Sequence, residues 1–169
     1  MSRALFEKAH ASGRIILGSA STDLLATTPW LESALAPEWK LADLEAAVED
    51  GTGVLISDAG ANAIGVAVVL RDAPAAGCAT LPFLAIDPSR RFRGLGGEAG
   101  IVLTAHLQDL GFEKVYAPVP DGRGLAVYFW LRLGFRPLLQ GESPGAVVGL
   151  TGEEMRGIWM LSEGPSADS

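Results

Sequence analysis

Cysteine is nearly absent: the 169 residues contain one, Cys78. A lone thiol cannot close an intramolecular disulfide or build a metal site by itself, which excludes a disulfide-stapled fold and gives no reason to expect a metal. Long apolar runs are missing too. The charge-free stretches Ala59–Leu70 and Ala73–Ile86 fall short of the roughly 20 residues a membrane-spanning helix needs, and Pro74, Gly77 and Pro82 interrupt the second. Met1–Arg14 mixes Arg3, Glu7, Lys8 and His10 without an apolar segment, so it does not read as a signal peptide. Positive charge is scarce: 13 Lys and Arg stand against 20 Asp and Glu, a formal net charge of −7. Phosphate neutralisation needs a positive face, so a general nucleic-acid surface is not expected. Together these absences point to a soluble chain in a reducing cytoplasm, with neither membrane nor nucleic acid as partner.

What is present is enough apolar surface for a core. Hydrophobic residues make up 49%, with four Trp and six Phe, far from the composition of a disordered chain. At this length one domain over 1–169 is expected, its core near 14–162 and a frayed tail over 163–169. Ile15-Ile16-Leu17 reads as a first strand. Ser21-Thr22-Asp23 caps a helix through Leu24–Leu35 that Pro29 weakens, and Leu41–Val48 repeats apolar residues at helical spacing before Gly51. Val54–Ile56 and Ala63–Leu70, joined by Asp58-Ala59-Gly60-Ala61-Asn62, predict a hairpin. Ala79–Ile86 is a further strand, and Pro82 within it removes a ladder donor, so a bulge or a missing partner is expected there. A helix over Gly97–Leu110 places Leu103, Leu107 and Leu110 on one stripe. Strand Val115–Val119, helix Leu125–Leu133, and strands Phe135–Leu139 and Ile158–Leu161 complete a mixed α/β order around one sheet.

The chemically informative stretch is Leu84-Ala85-Ile86-Asp87-Pro88-Ser89-Arg90-Arg91-Phe92-Arg93-Gly94-Leu95-Gly96-Gly97. An apolar strand ends, and three arginines and three glycines then open a helix. Glycine lets the backbone approach a ligand without a Cβ in the way. The first amides of a helix lack internal acceptors and sit at the positive end of its dipole, so the segment suits a phosphate or pyrophosphate. Arg90, Arg91 and Arg93 add charge at its edge. The competing bland reading is a tight turn flanked by solvated arginines. Gly94-x-Gly96-x-x-Ala99 also fits a dinucleotide fingerprint, but Asp87–Arg93 separate the glycines from the strand and several elements precede them. No Gly-Lys-Ser/Thr follows, which excludes a Walker A loop.

On these residues the sequence resembles the GCN5-related N-acetyltransferase (GNAT) superfamily. Arg91-Phe92-Arg93-Gly94-Leu95-Gly96 satisfies that family's Arg/Gln-x-x-Gly-x-Gly/Ala signature, and Ala85-Ile86-Asp87-Pro88 looks like the end of its splayed fourth strand. Ala126-x-x-Phe129-Trp130-x-x-x-Gly134-Phe135 is similar to its late helix and Gly-Phe exit. The resemblance spans roughly Arg14 to Ser162. It implies a mixed, mostly antiparallel sheet of six to seven strands flanked by about four helices. It further implies acetyl-CoA as cosubstrate, with direct attack of a primary amine of a small molecule or peptide on the thioester. Backbone groups of Leu84, Ala85 and Ile86 would pair with the pantetheine arm. The amides of Phe92, Arg93, Gly94, Leu95, Gly96 and Gly97 would hold the pyrophosphate, with Arg91 and Arg93 beside it. A CoA-binding module without turnover is the alternative the resemblance allows, and a homodimer is compatible with it.

Two departures bear on chemistry. The family's usual tyrosine, four residues before the Gly-Phe glycine, is Trp130 here, and an indole N–H donates a hydrogen bond without giving up its proton. Tyr128, two residues earlier, is the remaining candidate acid on this helix, although helical geometry turns it about 200° away; Tyr116 on the preceding strand is a weaker one. Trp130 and Phe129 read equally well as core. The usual asparagine is Arg123, expected to reach a CoA phosphate. No base is evident, since Ala79–Ile86 holds no carboxylate, His106 is expected to face solvent, and His10 lies in an unassigned segment. Acceptor choice is expected from Leu24–Val48 and Gln140–Arg156. Glu32, Glu38, Asp43, Glu45, Glu142, Glu153 and Glu154 outnumber Lys40 and Arg156 there, which favours a cationic amine. Trp30 and Trp39 are candidates to line its pocket.

Overall fold

The structure is a computed structural model that describes residues 5–6, 9–26, 28–35, 38–139, 141–150 and 152–164; the side chains of Arg91, Phe92 and Arg93 also lie outside the described set. His10–Ser12 (β1) and Ile15–Ser19 (β2) form a hairpin whose turn holds Gly13 at φ 59°. The expected first strand is thus the second, and His10 belongs to a strand. Pro29 divides the expected helix into Thr22–Leu25 (α1) and Trp30–Leu35 (α2), because the residue before proline is driven out of the helical region. Leu41–Glu49 (α3) leads into the hairpin of Gly53–Asp58 (β3) and Ala63–Arg71 (β4). Next come Cys78–Ile86 (β5), a 3₁₀ turn over Pro88–Arg93, and Leu95–Asp109 (α4). Lys114–Pro120 (β6), Gly124–Arg132 (α5), the two-residue Arg136–Pro137 (β7) and Gly157–Glu163 (β8) complete the order. Glu163 therefore ends a strand rather than beginning a tail; 165–169 lie outside the described residues.

One eight-stranded sheet runs β1-β2-β3-β4-β5-β6-β8-β7, one strand more than expected because of the N-terminal hairpin. Every neighbouring pair is antiparallel except β5 and β6. Helices cover both faces. On one, Leu25, Leu31, Leu35, Leu44 and Val48 pack on Val66, Val68, Phe83 and Ala85. On the other, Leu95, Ala99, Leu103, Leu107 and Trp130 pack on Ile15, Val54, Ala67, Val69 and Leu81. Leu103 and Leu107 are fully buried, as their stripe predicts.

The parallel pair positions the site. β5 and β6 are paired only at Cys78–Lys114, Ala79–Val115 and Thr80–Tyr116, and beyond Thr80 the two strands separate. Pro82 lies at the start of this divergence. Against β4, the register passes from Val68–Phe83 to Leu70–Thr80, so Leu81 and Pro82 oppose Val69 alone. This is the bulge the proline predicts. Its consequence is a change of face: Ala79 and Leu81 join the α4–α5 cluster, whereas Phe83 and Ala85 join the α1–α3 cluster. Across the gap, Trp159 accepts from Leu138 through its carbonyl, so its backbone faces β7. Alternation then directs its partner Pro118 away from β8, towards β5. Proline brings no donor to that edge.

Candidate functional site

The open end of the β5–β6 split is lined by backbone from one strand and by loops from both faces of the sheet. The amide of Asp87 bonds the Ile64 carbonyl, and a Cβ on Gly65 would lie 2.6 Å from the Ala85 oxygen. Ala85 and Asp87 therefore address β4, and strand alternation turns the backbone groups of Leu84 and Ile86 towards β6. Of the three residues expected to present backbone groups to an extended ligand, two sit on that edge. Ala85 does not, because β4 already uses its carbonyl side.

Where β5 ends, Asp87 caps the 3₁₀ turn, its Oδ1 accepting from the Ser89 amide at 3.0 Å and the Ser89 hydroxyl at 2.9 Å. Gly94 at φ 72° joins the turn to α4, a conformation that costs glycine little. The helix starts at Leu95, two residues earlier than its stripe suggests. The Glu98 amide makes the first intrahelical bond, to the Gly94 carbonyl, which leaves Leu95, Gly96 and Gly97 as the first-turn amides without intrahelical acceptors. Packing does not require glycine at 96, since a Cβ there would make only ordinary contacts with Ile86 at 3.5 Å and Phe129 at 3.7 Å.

The arginines of this region divide. Arg90 is not mobile charge at the loop: its guanidinium bonds Asp58 at 3.2 Å, tying the β3–β4 turn to the 3₁₀ segment. The amide of Asn62 first, then its side chain, Gly60 and Arg90 hold the Asp58 carboxyl below its ordinary pKa. Arg123 is engaged by a carboxylate too. It forms a two-pronged pair with Glu38, Nε donating to Oε1 at 2.9 Å and Nη2 to Oε2. That hydrogen bond pushes the Glu38 pKa down and the Arg123 pKa up. Because Glu38 precedes α3 on one face and Arg123 precedes α5 on the other, the pair straps the two faces together at the open end.

A cavity of about 340 Å³ opens beside this strap, lined by Glu38, Trp39, Pro120, Asp121, Glu153, Glu154, Met155 and Arg156. Both segments expected to choose the acceptor contribute, along with the C-terminal end of β6. Of the acidic residues named from sequence, Glu38, Glu153 and Glu154 converge here. Glu142 instead pairs with Arg136 at 2.8 Å, and Asp43 accepts from the Lys40 amide at the start of α3. Trp39 serves as both core and wall: it is buried, meets Phe83 edge-on at 6.3 Å, and lines the cavity. Trp30 packs against the α1–α3 core. Asp121 drew no attention in the sequence, where nothing marks it; it reaches the cavity because β6 ends there.

The candidate proton donors also separate. Trp130 is 5% exposed and packs on Phe129 and Phe135, ring centroids 5.1 and 4.7 Å away. Tyr128 is 60% exposed on an unbroken α5, with Arg132 over its ring at 5.9 Å. The helix has no bulge to rotate it inward, so its candidacy as an acid loses its geometric basis. Tyr116 is buried against Trp159, and burial pushes its hydroxyl pKa up. His106 does not face open solvent: its Nε2 lies 2.9 Å from the Leu5 carbonyl oxygen, and its ring stacks on Phe6 and meets His10. Among the described residues no group of three or more His, Cys, Asp or Glu could hold a metal ion, and no helix is long and apolar enough to cross a membrane.

A mixed sheet split between two parallel strands, with a glycine-started helix after the first and a second helix after the other, is the fold of the GNAT acetyltransferases. Solved structures agree. The chain is similar to a putative ribosomal-protein-serine acetyltransferase from Vibrio cholerae at 13% identity and a TM-score of 0.69, covering 94% of this chain and 98% of that one. It is also similar to a GNAT-family acetyltransferase from Bacillus anthracis at 10% identity and a TM-score of 0.66, covering 92% and 98%. An acetyltransferase from Bacillus subtilis in complex with CoA matches at 18% identity and a TM-score of 0.61, covering 92% and 99%. No protein-family model and no curated protein sequence matches the chain.

Proposed function

We propose that this protein is an acetyl-CoA-dependent N-acetyltransferase whose acceptor is a cationic primary amine of a small molecule or peptide. The observation that carries the reading is the split between β5 and β6, which has the first-turn amides of α4 at one side and an acidic cavity at the other. Leu84 and Ile86 would pair with the pantetheine arm, and the amides of Leu95, Gly96 and Gly97 would face the pyrophosphate. Arg91 and Arg93 are the sequence-assigned charges beside it. The residues fit this cosubstrate, since those amides lack intrahelical acceptors and the loop before them turns at a left-handed glycine.

Asp121, Glu153 and Glu154, which outnumber Arg156 on the cavity wall while Glu38 is balanced by Arg123, would draw in the ammonium form. Once the ammonium has lost a proton to water, the neutral amine attacks the thioester carbonyl; the new C–N bond replaces the C–S bond, the nitrogen gives up a second proton to water, and the thiolate takes one from water. Glu38 is a poor base here because Arg123 holds it in the carboxylate form. Trp130 can donate a hydrogen bond but no proton.

Thiol release from acetyl-CoA across a panel of polyamines, amino acids and N-terminal peptides tests the reading. Turnover with a cationic amine is expected. The second reading, a CoA-binding module without turnover, is favoured by one observation, the indole at the family's tyrosine position. Protection against heat by CoA with no thiol released from any amine would establish that reading instead.

A further inference from the structure

Resting on the acyl-CoA reading above, we propose that Arg14, on the turn between β1 and β2, is a phosphate-contacting residue of the cosubstrate site, held there by Glu98. Gly13 takes φ 59°, a backbone conformation that favours glycine, and the turn it makes sets Arg14 against Glu98 of α4. Three contacts then converge on one carboxylate: the Arg14 amide donates to Oε1 at 2.9 Å, Nε donates to Oε2 at 2.8 Å, and Nη2 lies 2.7 Å from Oε2. Glu98 stands in the first turn of α4, so its carboxylate fixes the guanidinium at the end of the helix that carries the proposed pyrophosphate amides. Nη2 is 3.9 Å from where a Cβ on Gly94 would sit, beside the last residue of the loop. The side chain remains 57% exposed.

Charge gives the arrangement its sense. A carboxylate in the first turn suits the helix dipole but repels a phosphate arriving at the same end. Arg14 cancels that repulsion and sets a cation at the lip. Arg90 and Arg123 are likewise ion-paired, with Asp58 and Glu38, but those partners lie at the end of β3 and before α3 rather than on α4. Beside Arg91 and Arg93, Arg14 would thus bring to the site, in a chain of net charge −7, a cation from some eighty positions upstream of its motif.

Calorimetric titration of the full chain with CoA and with dephospho-CoA, at low and high salt, tests this. Arg14→Ala is expected to weaken CoA binding by about tenfold or more, the loss of a charge-assisted contact, and to flatten the salt dependence. Arg14→Lys should recover part of both. Glu98→Gln breaks the same clasp but leaves the cation, so it should lose less than Arg14→Ala. A loss confined to CoA assigns the contact to the 3′-phosphate; one shared by dephospho-CoA assigns it to the pyrophosphate. Equal losses in Arg14→Ala and Glu98→Gln with an unchanged salt slope would mean that the pair only clasps the hairpin, and would overturn the proposal. So would wild-type affinity in Arg14→Ala. Failure of the wild-type chain to bind CoA would instead overturn the acyl-CoA reading itself.

Discussion

Trp130 and Tyr128 show how a shift of two residues along a helix decides a side chain's chemistry. The indole is sealed against Phe129 and Phe135, while the phenol lies on the outer face. General acid catalysis is worth about 10²–10⁴-fold. Since Tyr128 faces outward, Tyr128→Phe should lower turnover by less than about tenfold once an acceptor is found. Trp130→Tyr should maintain or raise it, provided the aromatic cluster closes around the smaller ring. A loss near a hundredfold in steady-state assays of Tyr128→Phe, with CoA affinity intact, would reinstate that residue as the acid. For the phosphate loop, Gly96→Asp adds a Cβ that makes only ordinary contacts and a carboxylate beside the expected pyrophosphate, and should abolish CoA binding without unfolding the protein. The double substitution Arg91→Glu with Arg93→Glu puts like charge beside the expected pyrophosphate, and should abolish CoA binding in a calorimetric titration while leaving the melting temperature near that of the wild type.

At the scale of elements, the strap between the start of α5 and the segment before α3 joins structures that the sheet alone would leave independent. Arg123→Ala removes it. The expected outcome is a several-fold rise in the acceptor KM with CoA affinity unchanged, measured by varying each substrate separately. The opposite pattern would support the sequence-based expectation that Arg123 serves a CoA phosphate. β5 offers a second test. Gly65 lies opposite Ile86, and a Cβ there would meet the Ala85 carbonyl oxygen and the Ile86 side chain at 2.6 Å each. Backbone cannot yield as a side-chain tip can. Gly65→Ala should therefore cost about 1–3 kcal/mol of stability in denaturant unfolding. It should also weaken CoA binding, because the displaced residues form the edge of the split.

Over the whole molecule, the response to acid should follow a few paired carboxylates. Arg136 first, and then the Leu139 amide, hold Glu142 down at about 2 from an ordinary 4.5. A depressed folded-state value means that the stabilisation is complete above the unfolded pKa and is lost as pH falls from about 4.5 towards about 2. Asp58, Glu38 and Glu98 are shifted in the same direction. Melting temperature should thus fall across this window. In Glu142→Gln the acid limb should be shallower and the stability at neutral pH slightly lower, with the difference shrinking at high salt, because both partners are exposed and screened. An acid limb identical to that of the wild type would show that the Arg136 pair contributes nothing measurable.

The parts legible from sequence alone are those governed by local rules. The hairpin of β3 and β4 follows from β-branched runs around Asp, Gly and Asn. The break at Pro29 and the bulge at Pro82 follow from a missing donor and a fixed φ. The turn into α4 follows from clustered glycines, and the outward position of Tyr128 from the helical repeat. What only the tertiary structure decided are the partnerships between distant residues. Arg90 went to Asp58, Arg123 to Glu38 and Arg14 to Glu98, and His106 turned to Leu5, Phe6 and His10. A charged or polar side chain carries no periodicity that names its partner. Its partner is whichever opposite charge or acceptor the packed elements bring within hydrogen-bond reach, and that is set by which faces of the sheet the apolar stripes bury.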